Sequence, residues 1–96
     1  YENLSERVAT KIFDLAVNLG ERTAVTCLQR ALLACSIRVK IDGLLGPETF
    51  GAAGRADEAA LLAALRSEAA GEYRVRVARS ADQAAFERGW LNRAYA

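Results

Sequence analysis

The residues able to do chemistry in this chain are few and thinly spread. There is no His among its 96 residues, so a zinc site is not expected, and neither is any other metal or cofactor. The two cysteines, Cys27 and Cys35, stand eight positions apart on what reads as one helix. That places them about 12 Å apart along its axis, whereas disulfide-bonded Cα atoms lie within about 7 Å. Buried free thiols are the expectation. What remains is a scatter of carboxylates, of which Asp14 and Glu48 are best placed, and a set of rings and polar groups suited to binding. The rings are Tyr73, Trp90 and Tyr95; the polar groups are Asn18, Gln29, Asn92 and Arg93.

The densest information lies in the run Lys40-Ile41-Asp42-Gly43-Leu44-Leu45-Gly46-Pro47-Glu48-Thr49. Asp-Gly favours a tight reversal, because Gly takes positive φ freely and Asp hydrogen-bonds nearby backbone. Gly46-Pro47 then launches a helix, since Pro is tolerated at the first helical position and fixes φ there. Glu48 suits the positive end of that helix, and Thr49 can offer its hydroxyl to the same turn. Gly46 is expected to need positive φ, so that Gly46→Val would disable the turn. Gln29, a polar residue beside Leu28 in a packed helix, must find partners, and the backbone of this turn is the nearest source. The plainer account of the same residues is a helical corner with no ligand.

The elements around this turn read as helices. Asn3 or Ser5 can cap a first helix whose apolar positions Val8, Ile12, Phe13, Ala16 and Val17 recur at helical spacing, with Gly20 ending it. A second runs from about Arg22 to Cys35, burying Ala24, Cys27, Leu28, Ala31, Leu32 and Cys35. Residues 36–41 alternate apolar and polar, as a short extended arm over the core would. A third helix starts at Pro47 and stops at Gly54. Asp57 caps a long fourth, with Leu61, Leu62, Leu65, Ala69, Tyr73 and Val77 in one stripe and a bend allowed at Gly71. Ser80 with Gln83 resembles a capping box for a fifth helix through Phe86, Trp90 and Leu91. The fold class is all-α: a small domain over residues 1–96, about five helices and one extended arm. The net charge of +1 supplies no large field, so nucleic acid is not the expected partner. No apolar run reaches the length of a membrane span and no signal-peptide layout is visible. The chain contains no Met, so it reads as a processed product or a fragment.

Four blocks, in order, carry a resemblance to a known family. They are Phe13-Asp14-Leu15-Ala16-Val17-Asn18-Leu19-Gly20, then Ala24 with Leu28-Gln29-Arg30-Ala31-Leu32, then Asp42 to Thr49, and finally Phe86-Glu87-Arg88-Gly89-Trp90-Leu91-Asn92-Arg93. Together they span almost the whole chain, which resembles the C-terminal region of the family 108 glycoside hydrolases, bacterial and phage N-acetylmuramidases. That region is described as a predicted peptidoglycan-binding domain of type 3.

The resemblance implies a lysozyme-like helical fold whose catalytic Glu, in a Glu-Gly-Gly motif, belongs to an N-terminal half. No Glu-Gly-Gly occurs in this sequence. Glycoside hydrolysis normally needs a carboxylic acid to protonate the leaving oxygen, with a second carboxylate nearby. Asp14 and Glu48 are better explained as a buried hydrogen-bonding residue and a helix-terminus carboxylate, so no catalytic residue is expected here and the chain alone is expected to be inactive. Binding is the remaining route, with Asn18, Tyr73, Trp90 and Arg93 as candidate substrate contacts and Asp42, Gly43, Gly46, Pro47 and Thr49 as the structural turn. Asn18 can equally cap its helix, Trp90 can equally be core, and arginines 66, 74, 76, 79, 88 and 93 can equally be a solvated face. The implied partners are peptidoglycan and the N-terminal catalytic half of the same protein, which would leave an apolar docking face and a tendency to form homodimers. The implied location is the bacterial cell wall or periplasm, reached by export or phage-mediated release after cytoplasmic synthesis. The alternative is a helical protein- or DNA-interaction domain with no role at the wall.

Overall fold

The structure is a computed structural model, and residues 4–79 are the ones it describes. They form four helices in chain order: α1 (Glu6–Leu19), α2 (Glu21–Ala34), α3 (Pro47–Arg55) and α4 (Glu58–Arg79). No strand occurs among the described residues, so the arm at 37–41 runs over the core without entering a sheet. The expected fifth helix, with Phe86, Trp90 and Leu91, lies outside the described residues. None of the described helices is long and apolar enough to cross a membrane.

Ser5 is the residue that caps α1, its hydroxyl accepting the Val8 N–H at 3.2 Å. The core stripe of this helix is Val8, Ile12, Leu15 and Leu19. Two of the expected core positions are therefore corrected: Phe13 is 71% exposed and Val17 69% exposed. At 3.6 residues per turn these two point about 130° and 170° away from the centre of the buried stripe. The helix thus carries apolar side chains on two opposed faces, and only one of them is used by the described core.

A single residue, Gly20, joins α1 to α2. Its φ of 95° and ψ of 150° belong to a region open essentially to glycine alone. Its N–H closes α1 on the Ala16 carbonyl, and its own carbonyl opens α2 by accepting the Ala24 N–H, both at 3.0 Å. Helix α2 is the centre of the molecule and packs against all three others. Ala24, Val25, Cys27, Leu28, Ala31 and Leu32 are buried along it, with Gln29 among them. Its end is a Schellman motif: the Ile37 N–H reaches the Leu32 carbonyl and the Ser36 N–H the Leu33 carbonyl, both at 2.9 Å. Ser36 holds the left-handed position, with φ 64°. Ile37 then turns back onto the core and Val39 is buried, while Arg38 and Lys40 face water.

Helix α3 buries Thr49, Ala52 and Ala53. Asp57 opens α4 by accepting the Ala60 N–H on its carboxylate at 2.9 Å and the Leu61 N–H on its carbonyl at 2.9 Å. Helix α4 continues unbroken through Gly71, burying Leu61, Leu62, Leu65, Ala69, Ala70 and Tyr73. It runs in the same direction as α1: Arg7 meets Glu58 at 3.7 Å near their starts, and Arg76 donates to the Leu19 carbonyl at 3.1 Å near their ends.

Two positions make the backbone energetics testable. A non-glycine in the left-handed region costs about 1–2 kcal/mol, so Ser36→Gly is expected to stabilise the fold by up to about 1 kcal/mol after glycine's entropy cost. A methyl group added at Gly71 meets nothing within 4 Å, so Gly71→Ala is expected to gain up to about 1 kcal/mol from helix propensity. Urea denaturation monitored by circular dichroism should show both midpoints raised with unchanged slope.

Candidate functional site

The turn between α2 and α3 is organised by one side chain. Gln29, on the middle of α2, is fully buried at 0% exposure. Its Oε1 accepts the Gly43 N–H at 2.9 Å. Its Nε2 faces three acceptors: Asp42 Oδ1 at 2.9 Å, the Leu44 carbonyl at 3.2 Å and Thr49 Oγ1 at 3.1 Å. An amide nitrogen carries two hydrogens, so the three acceptors share them. The orientation of the amide follows from the chemistry, because the Gly43 N–H can only donate and therefore requires the amide oxygen.

The rest of the turn closes around this centre. Asp42 Oδ1 also accepts the Leu44 N–H at 2.9 Å, an Asx-type reversal. That N–H, and after it the Gln29 amide, hold the Asp42 carboxyl below its ordinary value. Glu48, in the first turn of α3, accepts the Lys40 N–H at 2.9 Å and so ties the arm to the helix start. Gly43 has φ +73°, and a Cβ there would fall 2.7 Å from Arg22 Cγ and 3.3 Å from Thr26 Oγ1. Gly46 is different. Its φ is −120° and an added Cβ meets nothing within 4 Å. The expectation that Gly46 needs positive φ is corrected: the left-handed glycine is Gly43, and Gly46 serves as the extended N-cap before Pro47.

The two carboxylates considered for acid chemistry are employed elsewhere. The Asp14 carbonyl accepts the Asn18 Nδ2 at 2.7 Å and its Oδ1 lies 3.3 Å from the same nitrogen. Glu48 is engaged in the turn. Asn18 is thus half-buried at the end of α1 and bonded along its own helix. Tyr73 is 1% exposed, which corrects its expected role as a ring platform: its faces are spent on the core between α4 and its neighbours. Trp90 and Arg93, with Tyr95 and Asn92, lie outside the described residues. Cys27 and Cys35 are free. Burial first, with Glu72 and Glu68 adding to it, pushes the Cys27 thiol up to about 12, so it stays protonated and unreactive at neutral pH.

Sequence periodicity missed the outward face of α1. Phe13 lines a shallow concavity of about 220 Å³ with Ala16, Val25 and Leu45, the last contributed by the turn. Leu44 beside it is also exposed. The signal was present as the Phe13/Val17 pair at four-residue spacing, but out of phase with the Leu15/Leu19 stripe.

The described residues form a helical domain whose α2 amide clamps an Asp-Gly-x-x-Gly-Pro turn into a built corner. The family model for a predicted peptidoglycan domain matches residues 23–95, and the chain belongs to that family. Membership points to peptidoglycan as the partner and to a cell-wall setting. No curated protein and no solved structure matches the chain.

The clamp sets its own tests. Gln29→Leu strands the Gly43 N–H and the turn's acceptors and is expected to cost roughly 3 kcal/mol or more. Gly43→Ala is expected to cost about 2 kcal/mol through positive φ and the approach to Arg22, whereas Gly46→Ala should stay within about 0.5 kcal/mol of the parent. Thermal melts of the three variants decide this, and equal losses at Gly43 and Gly46 would contradict the turn geometry. Asp42 supplies a pH test. Its folded pKa is depressed, so its contribution is present above the ordinary carboxylate range and lost as pH falls through the folded value. Asp42→Asn keeps an acceptor oxygen for Leu44 and should show a shallower loss of stability as pH falls below the ordinary carboxylate range.

Proposed function

We propose that this chain is the wall-recognising, groove-completing C-terminal part of a bacterial or phage N-acetylmuramidase of the family 108 glycoside hydrolases, itself inactive as a hydrolase. The family match over residues 23–95 carries the reading. It is supported by the ordered blocks from Phe13 to Arg93 that resemble the muramidase C-terminal region. The outward apolar face of α1 supports it further, because Phe13 and Val17 precede the matched residues and would pack on a catalytic half. In this reading hydrolysis of glycan strands belongs to that half, and the partners are peptidoglycan and the catalytic half. Asn18, Trp90 and Arg93 are the proposed wall contacts, and the setting is the wall or periplasm after export or phage-mediated release.

The first experiment is retention on insoluble cell wall. The purified chain is expected to sediment with sacculi at low salt and to clear no turbid wall suspension alone. Added to the separately expressed catalytic half, it is expected to restore clearing, and Phe13→Asp with Val17→Asp should abolish that restoration. Absence of retention, combined with a steeply salt-dependent gel shift on DNA, would move the chain to the interaction-domain alternative.

A further inference from the structure

We propose that the cleft between the N-terminal halves of α1 and α4 binds a short zwitterionic peptide, the ligand class presented by the peptide stems of peptidoglycan. The inference rests on the wall-binding reading and says which part of the polymer the chain would hold.

The cleft has a volume of about 510 Å³, within the range of small-ligand sites. Three cations line it, Arg7, Lys11 and Arg66, and two carboxylates, Glu6 and Asp14. Thr10 adds a hydroxyl and Leu62 an apolar surface. Lys11 is only 5% exposed. An ammonium group is rarely buried to that degree unless charge and hydrogen-bond partners surround it. The parallel run of α1 and α4 puts the cleft there: Lys11 lies beside the core stripe of α1 with Arg7 and Asp14 farther round the same side, and Leu62 and Arg66 lie one turn apart on α4.

The chemistry of the wall of this cleft selects among the parts of peptidoglycan. Among the described residues no aromatic ring lines it, and an aromatic platform is the usual partner for the flat face of a sugar. Both signs of charge are present among the described residues, with cations in excess by one, around an apolar surface. A simple anion would leave the carboxylates repelling it. A peptide stem carries carboxylates, amides and a free amine on short apolar side chains, and each of these has a counterpart. Lys11, Asp14 and Arg66 also interact within the chain, so a bound peptide shares or exchanges those partners. An ammonium offers three donors and a guanidinium five.

The test is calorimetric titration of the full chain with a synthetic stem tetrapeptide bearing D-residues, free carboxylates and one free amine, and with glycan strands stripped of peptide. The peptide is expected to bind and the bare glycan not to. Lys11→Met and Arg66→Gln should each weaken binding about tenfold or more. Thr10→Phe, at an exposed position, should block the cleft while leaving every charge in place. Arg38→Gln, on the distant arm, should bind as the parent does. Amide shifts on peptide addition should cluster on residues 6–14 and 62–66. Sacculus retention without peptide binding, or shifts confined to other elements, would overturn the cleft assignment and leave the wall-binding reading standing. Loss of sacculus retention itself would remove that reading instead.

Discussion

One buried amide holds this molecule in register. Gln29 converts a polar side chain, placed among apolar ones, into the attachment point for the irregular chain of residues 35–46. Burying an amide without partners costs several kcal/mol, and here every polar atom of the group is answered by Asp42, Gly43, Leu44 or Thr49. Because Asp42, Gly43 and Leu44 lie between α2 and α3 and Thr49 lies in the first turn of α3, the same bonds fix where α3 begins and how Thr49 enters the core. Glu48 adds a second tie from α3 back to the arm. The turn is held by hydrogen bonds to one buried amide as well as by Leu45 packed against the core.

Much of this could be seen in the amino-acid order. The helices at 6–19, 21–34 and 47–55 announce themselves by their caps: Ser5, Gly20 and Pro47 each carry a conformational preference that local chemistry alone enforces. Gln29 stood out as a polar residue in an apolar stripe, and its partners were the nearest turn. The two glycines of the motif were harder to tell apart. Which one needs positive φ is decided by the approach of Arg22 and Thr26 to Gly43, a contact between segments about twenty positions apart that no local preference encodes. The phase of α1 failed for a related reason. A helix apolar on two faces offers two consistent stripes, and only packing against α2 and α4 chooses Leu15 and Leu19 over Phe13 and Val17.

The candidate site was legible to a smaller degree. Tyr73 and the outward Phe13 exchanged the roles that composition would assign them: the ring with a hydroxyl went inside and the plain hydrocarbon ring stayed out. Residue type gives a preference for burial, but position on the helix decides it. The charged cleft between α1 and α4 was invisible beforehand because Arg7, Lys11 and Arg66 belong to two elements whose parallel alignment is a tertiary fact.

The bond from Arg76 to the Leu19 carbonyl has a consequence for how the chain comes together. The last turn of the first helix is finished by a guanidinium that leaves the ribosome 57 residues later. Until then that carbonyl lacks its guanidinium partner, while the glycine joint is already closed by its own backbone bonds to Ala16 and Ala24. Completion of α1 therefore draws on the last turns of α4, so one hydrogen bond links the two parallel helices across 57 positions of sequence.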